Sequence, residues 1–171
     1  EFEEGILLLR LRRTMLRTLD ALPEADDLDI LNAAKQLIVE VKAPLAEVKS
    51  TQEAVLSQNA DYLSRGALKQ LEDRQKRELN ARERSGIMEV LASARSLLRD
   101  VLGVLEGVSD GIVNEDVAAI VERLAARTDT AGAVHAIDAV TRAERTVARN
   151  ITPQLALEVM FLDIRKALLC R

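Results

Sequence analysis

Apolar residues recur at three- and four-residue intervals along nearly the whole chain, the rhythm of amphipathic helices. Leu8, Leu11, Met15, Leu19 and Leu22 fall on one face of a first helix, with Arg10, Arg13 and Arg17 as a stripe on the other. Pro23 breaks this pattern, and Asp26, Asp27 and Asp29 follow, placed where acids complement the exposed amide dipoles of a helix start. A second stretch carries Leu31, Ala34, Ile38, Val41, Leu45 and Val48. Pro44 lies inside it and removes one backbone donor, so the pattern predicts a kinked helix or two helices stacked end to end. The rhythm lapses from Ser57 to Arg65, which predicts a connection.

The segment from Lys69 to Arg84 is highly charged, with Glu72/Lys76, Asp73/Arg77 and Glu78/Arg82 four residues apart. Each such pair adds only about 0.2–0.5 kcal/mol, so this helix is expected to be solvated around most of its circumference. Ile87, Leu91, Ala94, Leu98, Val101 and Leu105 then restore the apolar phase, with Gly86 a possible bend between the two halves. Gly107, Ser109, Asp110 and Gly111 form the clearest loop. Beyond it, Asn114 fits as N-cap of a short helix burying Val117, Ile120, Val121 and Leu124. The next helix sets Ala133, Ala136, Ile137, Val140, Ala143 and Val147 against a polar face of His135, Asp138, Arg142, Arg145 and Arg149. At the junction that follows, Asn150 can end one helix, Thr152 can cap the next and Pro153 suits its first turn.

The last helix, from Pro153, is the most apolar. Leu157, Met160, Phe161, Ile164 and Leu168 gather on one face and Leu155, Val159, Leu162 and Leu169 on nearly the opposite one. A surface helix of a lone domain needs one apolar face, and two imply burial on two sides. Leu155, Val159, Leu162 and Leu169 are therefore candidates for a partner interface, with Arg10, Arg13 and Arg17 as the second candidate surface.

Composition supports an all-α, multi-helix bundle. The 171 residues are 48% apolar but include only three aromatics, seven Gly and three Pro, too few for a strand-rich fold. A net charge of −4 gives no overall basic field, so direct DNA contact is not expected. The one cysteine, Cys170, excludes a disulfide scaffold and points to a reducing, cytoplasmic setting. No apolar run is long enough to span a membrane. The chain carries no GxxxxGK[ST] or GxGxxG loop. One His and one Cys cannot make a zinc site, and DGIVNED lacks the ligand spacing of a calcium loop. No catalytic, cofactor-binding or metal-binding residues are expected, nor a small-molecule ligand.

The stretch AIDAVTRAERTVARNITPQLALEVMFLDIRKAL resembles the end of bacterial DNA polymerase III delta prime subunits, which belong to the clamp loader. Their Asn-x-x-Pro-x-Leu-Ala-Leu-Glu signature falls here on Asn150, Pro153, Leu155, Ala156, Leu157 and Glu158. GALKQLEDRQKRE, from Gly66, and ARSLLRDVLGVLEG, from Ala94, resemble helices of actinobacterial members, in the same order. The first 60 residues share only helical character with them. The resemblance implies a C-terminal collar domain that oligomerises with the delta and gamma/tau subunits, so that the ATP-driven complex can load the sliding clamp during replication. It implies no active site in this chain, only membership of a larger enzyme. AAA+ modules are expected upstream of Glu1. The expected division is a long-helix half, 1–107, and a compact three-helix half, 114–171. The alternative function is a non-catalytic helical adaptor or scaffold of another pathway.

Overall fold

The computed structural model describes residues 2–108, 111–149 and 151–169. Seven α-helices make up the described residues, with no strand among them. They are α1 (Phe2–Ala21), α2 (Asp27–Lys42), α3 (Leu45–Asn59), α4 (Arg65–Leu105), α5 (Ala118–Ala125), α6 (Thr130–Ala148) and α7 (Pro153–Leu169). Single 3-10 turns at Leu22–Glu24 and Glu115–Val117 lead into α2 and α5.

The C-terminal half of α4 is the axis of the bundle. Ile87, Leu91, Leu97 and Leu98 are fully buried there, in one core with Leu11, Met15 and Leu19 of α1, Ile30 and Leu37 of α2, and α6, on which α7 packs in turn. Phe161 is the largest buried side chain and anchors α7 in the same core. The N-terminal half of α4, by contrast, buries nothing before Ile87 and packs on α3, which has no buried residue either. Of the three spaced ion pairs, Glu78–Arg82 forms, at 2.9 Å. Glu72–Lys76 and Asp73–Arg77 do not form among the described residues.

Local chemistry explains where the elements stop. Asp26 caps α2 through a reciprocal box in which Asp26 Oδ1 accepts from Asp29 N–H (2.8 Å) and Asp29 Oδ2 accepts from Asp26 N–H (3.1 Å). The acid cluster is thus a helix start. Asp26→Ala is expected to lower stability by about 1 kcal/mol, read as a shift in the urea midpoint; an unchanged midpoint would mean that the box contributes nothing. Pro44 separates α2 from α3 at a turn, so the stretch is two helices. At the end of α4, Val108 N–H bonds to Gly103 O (2.8 Å) and Gly107 N–H to Val104 O (3.1 Å). This Schellman pair needs a left-handed residue, which Gly107 supplies at φ +73°. The loop residues Ser109 and Asp110 lie outside the described residues, as do Asn150 and Cys170.

Several expectations need correction. α4 runs continuously through Gly86. That glycine instead admits α2, since a Cβ there would stand 2.9 Å from Val41 Cγ1. Leu8 is 40% exposed and Leu31 43%, while Leu16 is buried. The remaining expected positions, Leu11, Met15, Leu19 and Leu22 on the first helical face and Ala34, Ile38 and Val41 on α2, are buried, and the arcs widen to take in Leu16, Ile30 and Leu37. Asn114 makes no cap bond to the turn after it; its side chain is drawn into the bundle by Asp100. The Thr152 carbonyl accepts from Ala156 N–H, but its hydroxyl makes no cap bond among the described residues.

Candidate functional site

With 3.6 residues per turn, α7 divides into two arcs. The inward arc is Leu157, Met160, Phe161, Ile164 and Leu168, all essentially inaccessible. On the outward arc Leu155, Val159 and Leu169 are 52%, 49% and 54% exposed, and Leu162 is half-buried against the core. Two polar seams fix the rotation of the helix between these arcs. Asp163 accepts from Arg142 of α6 at 3.0 Å on one side. On the other, Arg165 donates to Ala25 O (2.9 Å) and Asp27 Oδ1 (2.5 Å) at the entry to α2. A roll of α7 that buried Leu155 would break both seams and expose Phe161.

The outward arc opens on a groove of about 330 Å³ between α6 and α7. Its floor and walls include Ala139, Ala143, Ile151, Leu155, Ala156 and Val159, and the Arg142–Asp163 pair closes one rim. Ile151, 45% exposed, also lines a second groove of about 600 Å³ shared with Arg77, Arg84, Val147 and Pro153. Ile151 belongs to this surface although helical periodicity does not place it there. It lies in the junction between α6 and α7, where no helical phase applies, and only its apolar character beside Pro153 signals it.

Arg10, Arg13 and Arg17 are exposed on α1, as their stripe predicts. The structure does not bring them to the α7 surface. Arg13 and Arg17 line a separate groove between α1 and α5, with Leu9, Asp116 and Ile120. Arg12, outside the expected stripe, is the arginine that this fold uses. It grips Asp116 with two bonds (2.7 and 2.8 Å) and donates to Asn114 Oδ1 at 2.8 Å. Its hydrogen bonds to Asp116 raise the Arg12 pKa and hold the Asp116 carboxyl below its ordinary range. Such a depressed carboxylate stabilises the fold at neutral pH, and this contribution is lost as pH falls through the lowered value. With the Asp116 side chain 61% exposed, solvent screens most of it. The pair spans 104 residues in sequence, so no local pattern reveals it.

Among the described residues no group of His, Cys, Asp and Glu comes together to hold a metal ion, and no helix is long and apolar enough to cross a membrane. What the surface offers is an aliphatic face beside arginines. Residues 67–166, from the first turn of α4 to Lys166 of α7, match the family model described as DNA polymerase III, delta subunit, C terminal. The chain belongs to this family. It is a clamp-loader subunit domain, a component of the larger complex that acts in DNA replication. Neither curated proteins nor solved structures give a match to it. The outward arc of α7 and both grooves beside it lie almost wholly within the matched region, whereas α1, α2 and α3 lie outside it.

Proposed function

We propose that this clamp-loader domain is the collar through which its subunit oligomerises, and that the outward arc of α7 meets a neighbouring subunit. The observation that carries the reading is the exposure of Leu155, Val159 and Leu169 on a helix whose other face is fully buried. Leaving three aliphatic side chains half in water on one helix face is costly for a free surface and is what an interaction site presents. The finer assignment is delta prime, supported by the signature residues Pro153, Leu155, Ala156, Leu157 and Glu158. Its partners are then the delta and gamma/tau subunits, its setting the cytoplasm, and AAA+ modules precede the collar in the full-length subunit. The domain itself contacts neither DNA nor a small molecule, and it works as a long-helix half and a compact half joined at the loop after Gly107.

The test is assembly in solution. Full-length subunit mixed with delta and gamma/tau should give a stable complex by size-exclusion chromatography with mass detection. Leu155→Asp or Val159→Asp should weaken that association about tenfold or more, because a carboxylate would be placed in a desolvated contact. Both positions are exposed, so the fold should keep its circular dichroism and melting behaviour. Absence of a complex with the unmodified subunit at micromolar concentration, or undiminished assembly of both variants, would overturn the reading.

A further inference from the structure

The groove between α6 and α7 has small residues at its base and larger ones along its sides. Ala139 and Ala143, one turn apart on α6, and Ala156 on α7 are buried at the base. Ile151, Leu155 and Val159 flank them, each about half exposed. From Leu155 to Asp163 the furrow follows α7 for about 12 Å, a little over two turns. A furrow of this shape admits a row of bulky side chains from a second helix.

The polar groups in the lining are already used. Asp163 accepts from Arg142 at 3.0 Å, and the Thr146 hydroxyl donates to Arg142 O at 2.8 Å. Arg142 and Asp163 are one cation and one anion, so the lining is electrically neutral. Elsewhere on these two helices Glu144 and Arg165 pair with Arg95 and Asp27. The other charges, among them Asp138, Arg145, Glu158 and Lys166, have both signs, and none lines the groove. A charged group seated there would give up its water without meeting a counter-charge, whereas an apolar side chain gives up nothing and covers the half-exposed walls.

We propose that this groove is a socket for an uncharged ridge of bulky apolar side chains on a helix of the adjoining subunit. Residues three or four apart on that helix sit over Ala139, Ala143 and Ala156, between the walls of Ile151, Leu155 and Val159. This rests on the collar reading and deepens it by naming what meets the α7 arc. A helix with a charged flank is the poorer occupant, because the lining holds neither sign in surplus.

The experiment uses the full-length subunit with delta and gamma/tau, comparing Val159→Glu, Val159→Lys and Thr146→Trp with Leu155→Asp. Thr146→Trp fills the socket from the α6 side and leaves the α7 arc unaltered; circular dichroism checks that each variant keeps its fold. Association is followed by interferometry at low and high ionic strength. Both Val159 variants should weaken association about tenfold or more, by similar factors and equally at both salt concentrations, because desolvation rather than screened attraction sets the loss. Thr146→Trp should weaken it about tenfold as well. Tolerance of one sign at Val159, with the other disruptive, would show a charged partner and overturn the proposal while the collar reading stands. Undiminished association of Thr146→Trp, with Leu155→Asp disruptive, would show that the groove stays empty, with the same consequence. A dimer of the unmixed subunit that Leu155→Asp abolishes would assign the groove to a second copy of this chain instead. Undiminished assembly of all four variants would remove the collar reading and this proposal with it.

Discussion

Gly132→Ala is expected to destabilise the domain by about 3 kcal/mol. For a chain of this size that corresponds to a fall in Tm of roughly 6–12 °C. Gly132 lies in the first turn of α6, buried, where its N–H donates to the capping Asp129 Oδ1 at 2.8 Å. The residue is pressed against the end of α7. A Cβ built there would stand 2.5 Å from Ala167 O and closer still to Thr128 Oγ1, whose hydroxyl donates to that same carbonyl. A backbone oxygen cannot rotate aside, so relief requires the two helices to separate. Separation opens the inward arc around Ile164 and Leu168 and shifts Leu169 on the outward one. Gly5→Ala is the control, because nothing lies within 4 Å of a Cβ at that exposed helical position. It should be stabilising by about 0.5–1 kcal/mol. Thermal denaturation of both variants decides the matter. A Gly132→Ala protein as stable as the parent would mean that the α6–α7 apposition is loose.

Gly132 also illustrates what the sequence does not disclose. Helix-forming segments are legible because periodicity is a local property: apolar rhythm marks the buried helices, and charges spaced four apart mark the N-terminal half of α4, which buries nothing before Ile87. The two-faced pattern of α7 is legible for the same reason: the spacing of Leu157, Phe161, Ile164 and Leu168 separates cleanly from that of Leu155, Val159 and Leu169. Close approaches are not legible. Gly132 reads as a weak helix residue until Ala167, 35 positions later, is placed beside it. Asn114 has the composition of a cap, and only the arrival of Asp100 from α4 turns its side chain inward. Thr152 fits the cap position ahead of Pro153, but residue type does not fix where its hydroxyl points. The candidate surface divides similarly. Its α7 part follows from phase, whereas Ile151 and Arg77 join it through packing between the α6–α7 junction and α4. The basic stripe of α1 shows the converse. Arg10, Arg13 and Arg17 are conspicuous in sequence, yet the arginine tied into the fold is Arg12, through an acid more than a hundred residues away.

Asp100→Ala should also cost about 3 kcal/mol, by a different route. Asp100 is a buried acid on α4, only 5% exposed, and it organises the loop that follows its own helix. One carboxylate oxygen accepts from Val113 N–H at 3.2 Å. The other accepts from both Asn114 N–H (2.8 Å) and Asn114 Nδ2 (2.7 Å). Asn114 passes the connection on, donating to Ser96 Oγ at 3.0 Å and accepting from Arg12 at 2.8 Å. A chain of polar contacts therefore runs from α4 through the loop to α1 and fixes where α5 begins. Alanine leaves the buried Asn114 backbone N–H without an acceptor and its side-chain amide with Ser96 Oγ alone, and each stranded donor costs about 1–3 kcal/mol, whereas a lost surface bond costs far less. Asp100→Asn should rescue little, because one of its two groups becomes a donor that faces donors. Asp116→Ala gives the contrast: that acid is exposed, so losing its pair with Arg12 should cost no more than about 1 kcal/mol. Urea unfolding gives the magnitudes, and amide hydrogen exchange at Val113 and Asn114 locates the effect. Protection at both amides should collapse in Asp100→Ala and largely persist in Asp116→Ala. Equal costs for the two variants, or retained protection at Asn114 without the Asp100 carboxylate, would show that the loop is held by apolar packing of Val117 and Ile120 instead.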